Sequence, residues 1–302
     1  MKRVLLTGAR GFIGAHCLDA LPDRGFEVHA VSSRGRQNSN SARVEWHHAD
    51  LHNAEHVLRL LAEVKPEYLL HLAWGVEHGV YWSSLENLRW VKSSLSLLQA
   101  FIDAGGQRAV MAGSCAEYDW KYGYCSEELT PLKPATLYGA CKSALYSVTA
   151  AAAEVAGLSA AWGRLFFLYG PGEHPDRLVP GVITALLKNE DVLCTHGEQI
   201  RDYLYVKDAA SALAALLESE VSGPVNIATG RPVVLKNLIA AAAKITGNPD
   251  LIRLGALSPA ADDPPLLLAN TFRLTEEVGW QPQYILEQGL QETVAWWKNK
   301  TK

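Results

Sequence analysis

Along the first half of the chain, short apolar runs alternate with stretches of helical spacing, and glycine, proline or polar residues bound each of them. Lys2–Thr7 holds Val4-Leu5-Leu6 and stops at glycine, the pattern of a buried strand. Phe12–Leu21 has helical spacing and is stopped by Pro22 and Gly25. Phe26–Ser32 and Val44–His48 are the second and third strands, and residues 34–43, rich in Gly, Asn, Ser and Arg, form a loop between them. Asn53–Val64 is a helix ended ahead of Pro66, Tyr68–Ala73 a fourth strand, and Ser84–Ala104 a helix closed by Gly105-Gly106. Gln107–Gly113 is a fifth strand, Pro134–Ala156 a long helix and Leu158–Leu168 a sixth strand. Strands alternating with helices of this length predict an α/β fold, a doubly wound parallel sheet with helices on both faces. Right-handed crossovers then place ligands at the carboxyl ends of the strands.

Past Tyr169-Gly170-Pro171 the pattern changes to short elements and frequent prolines. A smaller C-terminal lobe over the sheet edge is expected there. The predicted division is residues 1–170 for the large domain and 171–302 mainly for the lobe, with a return to the large domain around 195–225.

Composition narrows the class. Of 302 residues, 48% are hydrophobic and 20% charged, enough for a real core. A net charge of −4 offers no electrostatic attraction for nucleic acid or an anionic membrane. The Ala-rich run Ser143–Trp162 contains Glu154 and Gly157, so it reads as a buried helix and not a membrane span. Only Val4-Leu5-Leu6 separate Met1-Lys2-Arg3 from Thr7, too short for the apolar core of a secretory signal. Cys17, Cys115, Cys125, Cys141 and Cys194 form no C-x-x-C pair. Free thiols in a reducing cytoplasm, and no metal site, are the expectation.

The chemistry starts at Thr7-Gly8-Ala9-Arg10-Gly11-Phe12-Ile13-Gly14, between a predicted strand and a predicted helix. One glycine permits the tight turn, one lets backbone approach phosphate, and one lets helix pack on strand. The helix N-terminus then offers free N–H groups and a favourable dipole to a pyrophosphate. With this G-x-x-G-x-x-G spacing, the chain resembles the extended short-chain dehydrogenase/reductases, specifically their nucleotide-sugar branch. The resemblance extends through Asp50-Leu51, His71-Leu72-Ala73, Ser114, Tyr138-x-x-x-Lys142, Tyr169-Gly170-Pro171, Arg201-Asp202-Tyr203 and Gly279-Trp280-Gln281-Pro282. It implies a Rossmann-type dinucleotide domain and a lobe that binds a nucleotide sugar.

An NAD-preferring site puts a carboxylate at the end of the second strand. Here Ser32-Ser33-Arg34 stand there, with Arg10 in the glycine turn. Serine and arginine suit a 2′-phosphate that a carboxylate would repel, so NADP(H) is expected over NAD(H). The resemblance places Asp50 and Leu51 beside the adenine and Leu72 and Ala73 beside a cofactor ribose. Trp74, Trp82 and Trp120 flank sugar or cofactor, or pack between lobes. His71 is expected to be a packed strand residue.

Tyr138 and Lys142, four apart on a helix, share one face. A tyrosine phenol ionises near pH ~10, and a nearby ammonium and a positive nicotinamide are expected to lower it. With Ser114 they resemble the family's Ser-Tyr-Lys triad, in which tyrosine exchanges a proton with the substrate oxygen while hydride moves to or from nicotinamide. Sugar dehydratases of the branch carry Asp-Glu after the triad hydroxyl, whereas here Cys115-Ala116 follow Ser114. The epimerase-reductases that make GDP-fucose carry a cysteine and a histidine at positions that are Ala116 and Arg177 here. Simple keto-reduction or 4-epimerisation remains. Local motifs are most similar to the CDP-paratose and CDP-abequose type of 4-ketoreductase, although Phe167 stands where many relatives have asparagine.

The leading expectation is an NADPH-dependent 4-ketoreductase of a nucleotide-activated deoxysugar. The alternatives are an NAD-dependent 4-epimerase and a non-catalytic NAD(P)-sensing protein. Arg201 matches the family's diphosphate-binding arginine. Arg177 is a second cationic candidate, and Glu117 a candidate for sugar hydroxyls. The family also implies a homodimer built on the helices within 84–104 and 134–156.

Overall fold

The computed structural model describes residues 2–35, 43–259 and 263–300; Arg36 of the predicted basic loop lies outside the described residues. The strands of the first half are β1 (Lys2–Thr7), β2 (Phe26–Ser32), β3 (Val44–His48), β4 (Tyr68–His71), β5 (Arg108–Ser114), β6 (Tyr124–Cys125), β7 (Ser159–Leu165) and β8 (Phe167–Tyr169). Those of the second half are β9 (Val192–Leu193), β10 (Ile200–Arg201), β11 (Tyr203–Tyr205), β12 (Gly223–Ile227), β13 (Val233–Val234), β14 (Ile252–Arg253) and β15 (Leu266–Ala269). The helices are α1 (Phe12–Asp23), α2 (Ala54–Val64), α3 (Glu86–Asp103), α4 (Leu137–Ala156), α5 (Leu178–Leu187), α6 (Val206–Glu218), α7 (Leu235–Thr246) and α8 (Leu286–Lys300).

Among the described residues, seven strands form one sheet in the order β12-β7-β5-β4-β1-β2-β3. Every pairing in it is parallel. The fold is therefore α/β with a Rossmann-type sheet. Alternation along each strand decides which helix it meets. Val4, Leu6, Val28 and Ala30 pack against Cys17 and Leu21 of α1 and the apolar face of α6. Leu5, Val31 and Leu69 face Val57 and Leu61 of α2 and Leu97 and Phe101 of α3. A separate core joins α5, α7 and α8 around Tyr169 and Tyr205.

Most boundaries fall within two residues of those expected, and two differ further, for identifiable reasons. The long helix begins at Leu137 and not at Pro134, because the Thr136 side chain caps it by accepting from Gly139 N at 3.1 Å. The sixth strand is broken at Phe166. Up to Leu165 it pairs with β5 and β12, and from Phe167 it pairs with β11. Phe166 N donates to Ile227 O and Phe167 N to Asp202 O, so the backbone passes from the large sheet to the small lobe without losing its partners. The chain returns to the large sheet through α6 and β12, which closes the edge beside β7.

Candidate active site

The glycine turn has the geometry that a diphosphate requires. Gly8 has φ +70°, and a Cβ there would lie 2.8 Å from Ala73 N. A Cβ on Gly14 would lie 2.1 Å from Gly8 O, so α1 touches the turn only because that residue is bare. Gly11 is the N-cap of α1 and contributes no side-chain cap, which leaves the first N–H groups of the helix to a ligand. Phe12 and Ile13 open the helix.

At the carboxyl end of β2, Ser32 Oγ accepts from Arg34 N at 3.1 Å. Arg10 Nη1 donates to Arg34 O at 3.2 Å, so both arginines stand at one exposed corner. Ser33 is exposed beside them, its carbonyl bonded to His48. Asp50 accepts from His52 N at 2.9 Å, and Leu51 is buried behind it. Leu72 and Ala73 follow β4 and bond back to Thr7. His71 is buried between Thr7 Oγ1 (2.7 Å) and Ser94 Oγ (2.8 Å). Burial and the nearby Lys142 charge push its pKa down to about 3, so it is a neutral structural residue.

Ser114, Tyr138 and Lys142 are brought together by β5 and α4. Gly139 makes the approach possible: a Cβ there would lie 2.3 Å from Ala116 O, on the turn that carries Ser114. Ser114 Oγ accepts from Ala116 N at 3.2 Å and hydrogen-bonds the Tyr138 side chain. Lys142 Nζ donates to Ala112 O at 2.8 Å and sits 3.8 Å from the centroid of the Trp74 ring.

The electrostatics differ from the expectation. Burial raises the Tyr138 phenol well above its ordinary value, and the Ser114 hydrogen bond only partly opposes it. Lys142 is itself desolvated, and its pKa falls to about 7 although Glu117 pulls it upward. The Lys142 charge therefore does not make Tyr138 a phenolate in the protein alone.

Glu117 is also corrected. It is fully buried and cannot meet sugar hydroxyls. Its carboxylate accepts from Ser114 N at 2.7 Å, Trp162 Nε1 at 2.9 Å and Arg164 Nε at 2.8 Å. Glu117 is thus a positioning residue that fixes the turn carrying Ser114, and Ser114-x-x-Glu117 is a capping box that could have been recognised from its spacing.

An aromatic wall surrounds Tyr138. Tyr81 and Trp82 approach its ring edge-on at 5.0 and 5.7 Å, and Trp120 packs on Trp82. Tyr138 N donates to Trp82 O at 3.1 Å. Tyr81 has no signal in the sequence; only the β4–α3 connection carries it there. Arg177, at the N-terminus of α5, lies over the Tyr81 ring at 5.4 Å. Arg201 is buried, lies over Phe167 at 5.5 Å and is paired with Asp263 at 2.5 Å. Burial and Glu173 raise the half-buried Tyr203 phenol, and Arg201 and Arg177 oppose the shift, so both arginine charges are felt there. Burial raises Glu173 to about 8. His174 is exposed and stacks on His78 at 5.6 Å, away from the triad.

Two measurements check this site. Glu117→Gln leaves the Arg164 charge without its buried partner, so urea unfolding should show a loss of about 3–5 kcal/mol. For Lys142, folding depresses the pKa from 10.5 to about 7, so between those values the unfolded chain binds more protons than the folded one. Its stability contribution is full above the upper value and is lost as pH falls through the lower. Lys142→Met should therefore have a thermal midpoint that, relative to wild type, is highest below pH 7 and falls steadily as pH rises toward 10.5.

The model of the NAD dependent epimerase/dehydratase family matches residues 4–228. UDP-glucose 4-epimerase of Mycolicibacterium smegmatis is 30% identical over 99% of this chain and 100% of its own. CDP-abequose synthase of Salmonella typhimurium is 29% identical over 96% of each. The crystal structure of UDP-glucose 4-epimerase from Thermotoga maritima with UDP-glucose superposes with a TM-score of 0.87 at 26% identity, covering 99% of this chain and 100% of that one. With its glycine turn, parallel sheet and Ser114-Tyr138-Lys142 cluster, this chain belongs to the NAD-dependent epimerase/dehydratase family of extended short-chain dehydrogenase/reductases, a family of NAD(P)-dependent oxidoreductases.

Proposed function

We propose that the protein is an NADPH-dependent 4-ketoreductase of a nucleotide-activated deoxysugar. The corner at the end of β2 carries the reading: Arg10 and Arg34 meet where an NAD-preferring site has a carboxylate. A reductase must exchange its cofactor at each turnover, and the phosphorylated form supplies reducing equivalents.

Gly8, Gly11, Phe12, Ile13 and Gly14 would hold the pyrophosphate. Arg10, Ser32, Ser33 and Arg34 would hold the phosphorylated ribose. Asp50 and Leu51 would border the adenine, and Leu72, Ala73, Trp74 and Lys142 the other ribose. When bound, the reduced nicotinamide supplies hydride to the carbonyl carbon. Tyr138, held neutral by burial, then donates its phenol proton to the carbonyl oxygen. The Ser114 hydroxyl donates a hydrogen bond to that oxygen. Lys142, with a pKa near neutrality, returns a proton to the tyrosine. The aromatic wall of Tyr81, Trp82 and Trp120 excludes water and offers an apolar face to a deoxygenated sugar carbon. Arg177 and Arg201 would meet the diphosphate of the nucleotide sugar. Because Asp263 already neutralises Arg201, Arg177 carries more of that contact. Glu117 supports the reaction only by holding Ser114.

The likeness to 4-epimerases gives the second reading, in which NAD stays bound and is recycled. A non-catalytic NAD(P) sensor is disfavoured by the intact triad. A homodimer through α3 and α4 fits exposed Leu88, Val148 and Val155 on those helices. A cytoplasmic location fits five free, buried cysteines. Among the described residues, no helix is long and apolar enough to cross a membrane.

Purified protein should oxidise NADPH with one of a panel of CDP-, dTDP-, GDP- and UDP-linked 4-keto sugars, read by absorbance loss. Tyr138→Phe should abolish turnover. Arg34→Ala should lower kcat/KM for NADPH by roughly tenfold or more while changing that for NADH little, the size of one lost charge-assisted contact. Tightly bound NAD with no net cofactor turnover would establish the epimerase instead, and an active Tyr138→Phe would remove the triad mechanism.

A further inference from the structure

Far from the triad, the sheet edge gathers a second set of functional side chains. In the parallel register of β2 and β3, His29 pairs with Glu45 and Val31 with His47. His29, Glu45 and His47 therefore project from the same face, the one covered by α2. His29 and His47 are buried, while Glu45 is 61% exposed at the rim. His29 Nδ1 and His47 Nε2 face each other at 2.9 Å. Glu45 reaches both nitrogens, with Oε2 at 3.7 Å from His29 Nδ1 and Oε1 at 4.0 Å from His47 Nε2.

We propose that His29, Glu45 and His47 form a binding site for a divalent cation of the zinc class, clamping the outer edge of the sheet. Ligand atoms ~2.0–2.1 Å from a tetrahedral zinc stand roughly 3.3 Å from one another. The observed separations of 2.9, 3.7 and 4.0 Å, the last two to different oxygens of Glu45, straddle that value, so an ion needs this exposed carboxylate to turn inward by less than an ångström. The donor set, two imidazoles and a carboxylate with one side open to water, suits such an ion.

The outward nitrogens strengthen the assignment. Metal-bound histidines usually direct the other ring nitrogen at a carboxylate, which fixes the tautomer. With the ion on His29 Nδ1, the proton sits on Nε2, which faces Glu27 Oε1 at 3.9 Å. With the ion on His47 Nε2, the proton sits on Nδ1, which faces Glu63 Oε1 at 3.6 Å. Each histidine thus has its own carboxylate from a different element. The bare His–His hydrogen bond leaves His29 Nε2 buried with no hydrogen-bond partner among the described residues. Arg3, a further charged neighbour of His29, is held by Val64 O at 3.0 Å. Sequence spacing could not reveal the site, because strand pairing assembles it across eighteen positions.

The test uses the full chain, free of any histidine tag and stripped with EDTA, titrated calorimetrically with ZnCl₂. One equivalent should bind per chain and raise the thermal midpoint, and CoCl₂ should give visible absorption of a low-symmetry N/O site. Glu45→Gln, a change at an exposed position, should weaken zinc at least tenfold, and His47→Gln should abolish it. Glu63→Gln should weaken it by roughly 10-fold or more, as an outer-shell change does. His174→Ala removes the other His–His–Asp cluster, formed with His78 and Asp176, and should leave affinity unchanged. Absence of saturable binding, affinity unmoved by Glu45→Gln, or loss confined to His174→Ala would each overturn the proposal. Each outcome is read from metal binding and not from NADPH oxidation, so this site and the proposed reaction can be tested separately.

Discussion

The buried ion pair between Glu117 and Arg164 is the contact on which the rest of the active region depends. Glu117 is 0% and Arg164 1% exposed. Removing two charges from water costs several kcal/mol for each, and only close geometry with every remaining valence filled offsets it. Here it is filled. Glu117 takes the backbone N–H of Ser114 and the Trp162 indole as well as Arg164. Arg164 lies between the rings of Tyr118 and Tyr146, each 4.8 Å away, and donates to Tyr118 Oη. Tyr118 continues to Asn226 of β12, whose amide reaches the carbonyls of Cys125 and Asn270. One connected set of bonds therefore runs from the backbone N–H of Ser114 through Arg164 and Tyr118 to β12, and on to the lobe that would hold substrate.

That network lies beside a site dry enough to move two pKa values in opposite directions. Desolvation disfavours whichever form is charged, so the Tyr138 phenol rises and the Lys142 ammonium falls. A protonated phenol is a donor, which is the state that carbonyl reduction consumes. An oxidation would first have to ionise it in the same apolar surroundings. Burial thus presents Tyr138 as a proton donor for the proposed reduction. The cost falls on stability, since a buried lysine with no carboxylate at hydrogen-bonding distance is supported by Ala112 O and the face of Trp74.

Much of this was legible in the sequence, because the signals were local. The first-half strands and helices follow hydrophobic periodicity, and the glycine turn is a contiguous string whose physics does not depend on distant residues. Tyr138 and Lys142 are one helical turn apart. What escaped was set by tertiary contact. Glu117 looked like a polar residue near a pocket because its partner Arg164 lies 47 positions away on another strand. Tyr81 reaches Tyr138 through a connection without periodicity, and Arg201 meets Asp263 only when β10 and β15 pair. The lowered phenol was misjudged for a related reason: spacing gives the neighbour's charge but not the burial that opposes it.

The carboxyl half of β2 joins the proposed reaction to the proposed metal site. Among the described residues, β3 is an edge strand of five residues with β2 as its neighbour in the large sheet. Yet Ser32, Ser33 and Arg34, which would recognise the cofactor's ribose, hang from the last residues of β2, and Asp50 follows β3 directly. His29 and His47 lie within three residues of these ends, on the face where α2 packs. A cation shared by the two strands would fix their register beside α2, and with it the separation of Arg34 from Asp50. The recognition corner would then be held more firmly, although it stands on an edge strand pair of the sheet.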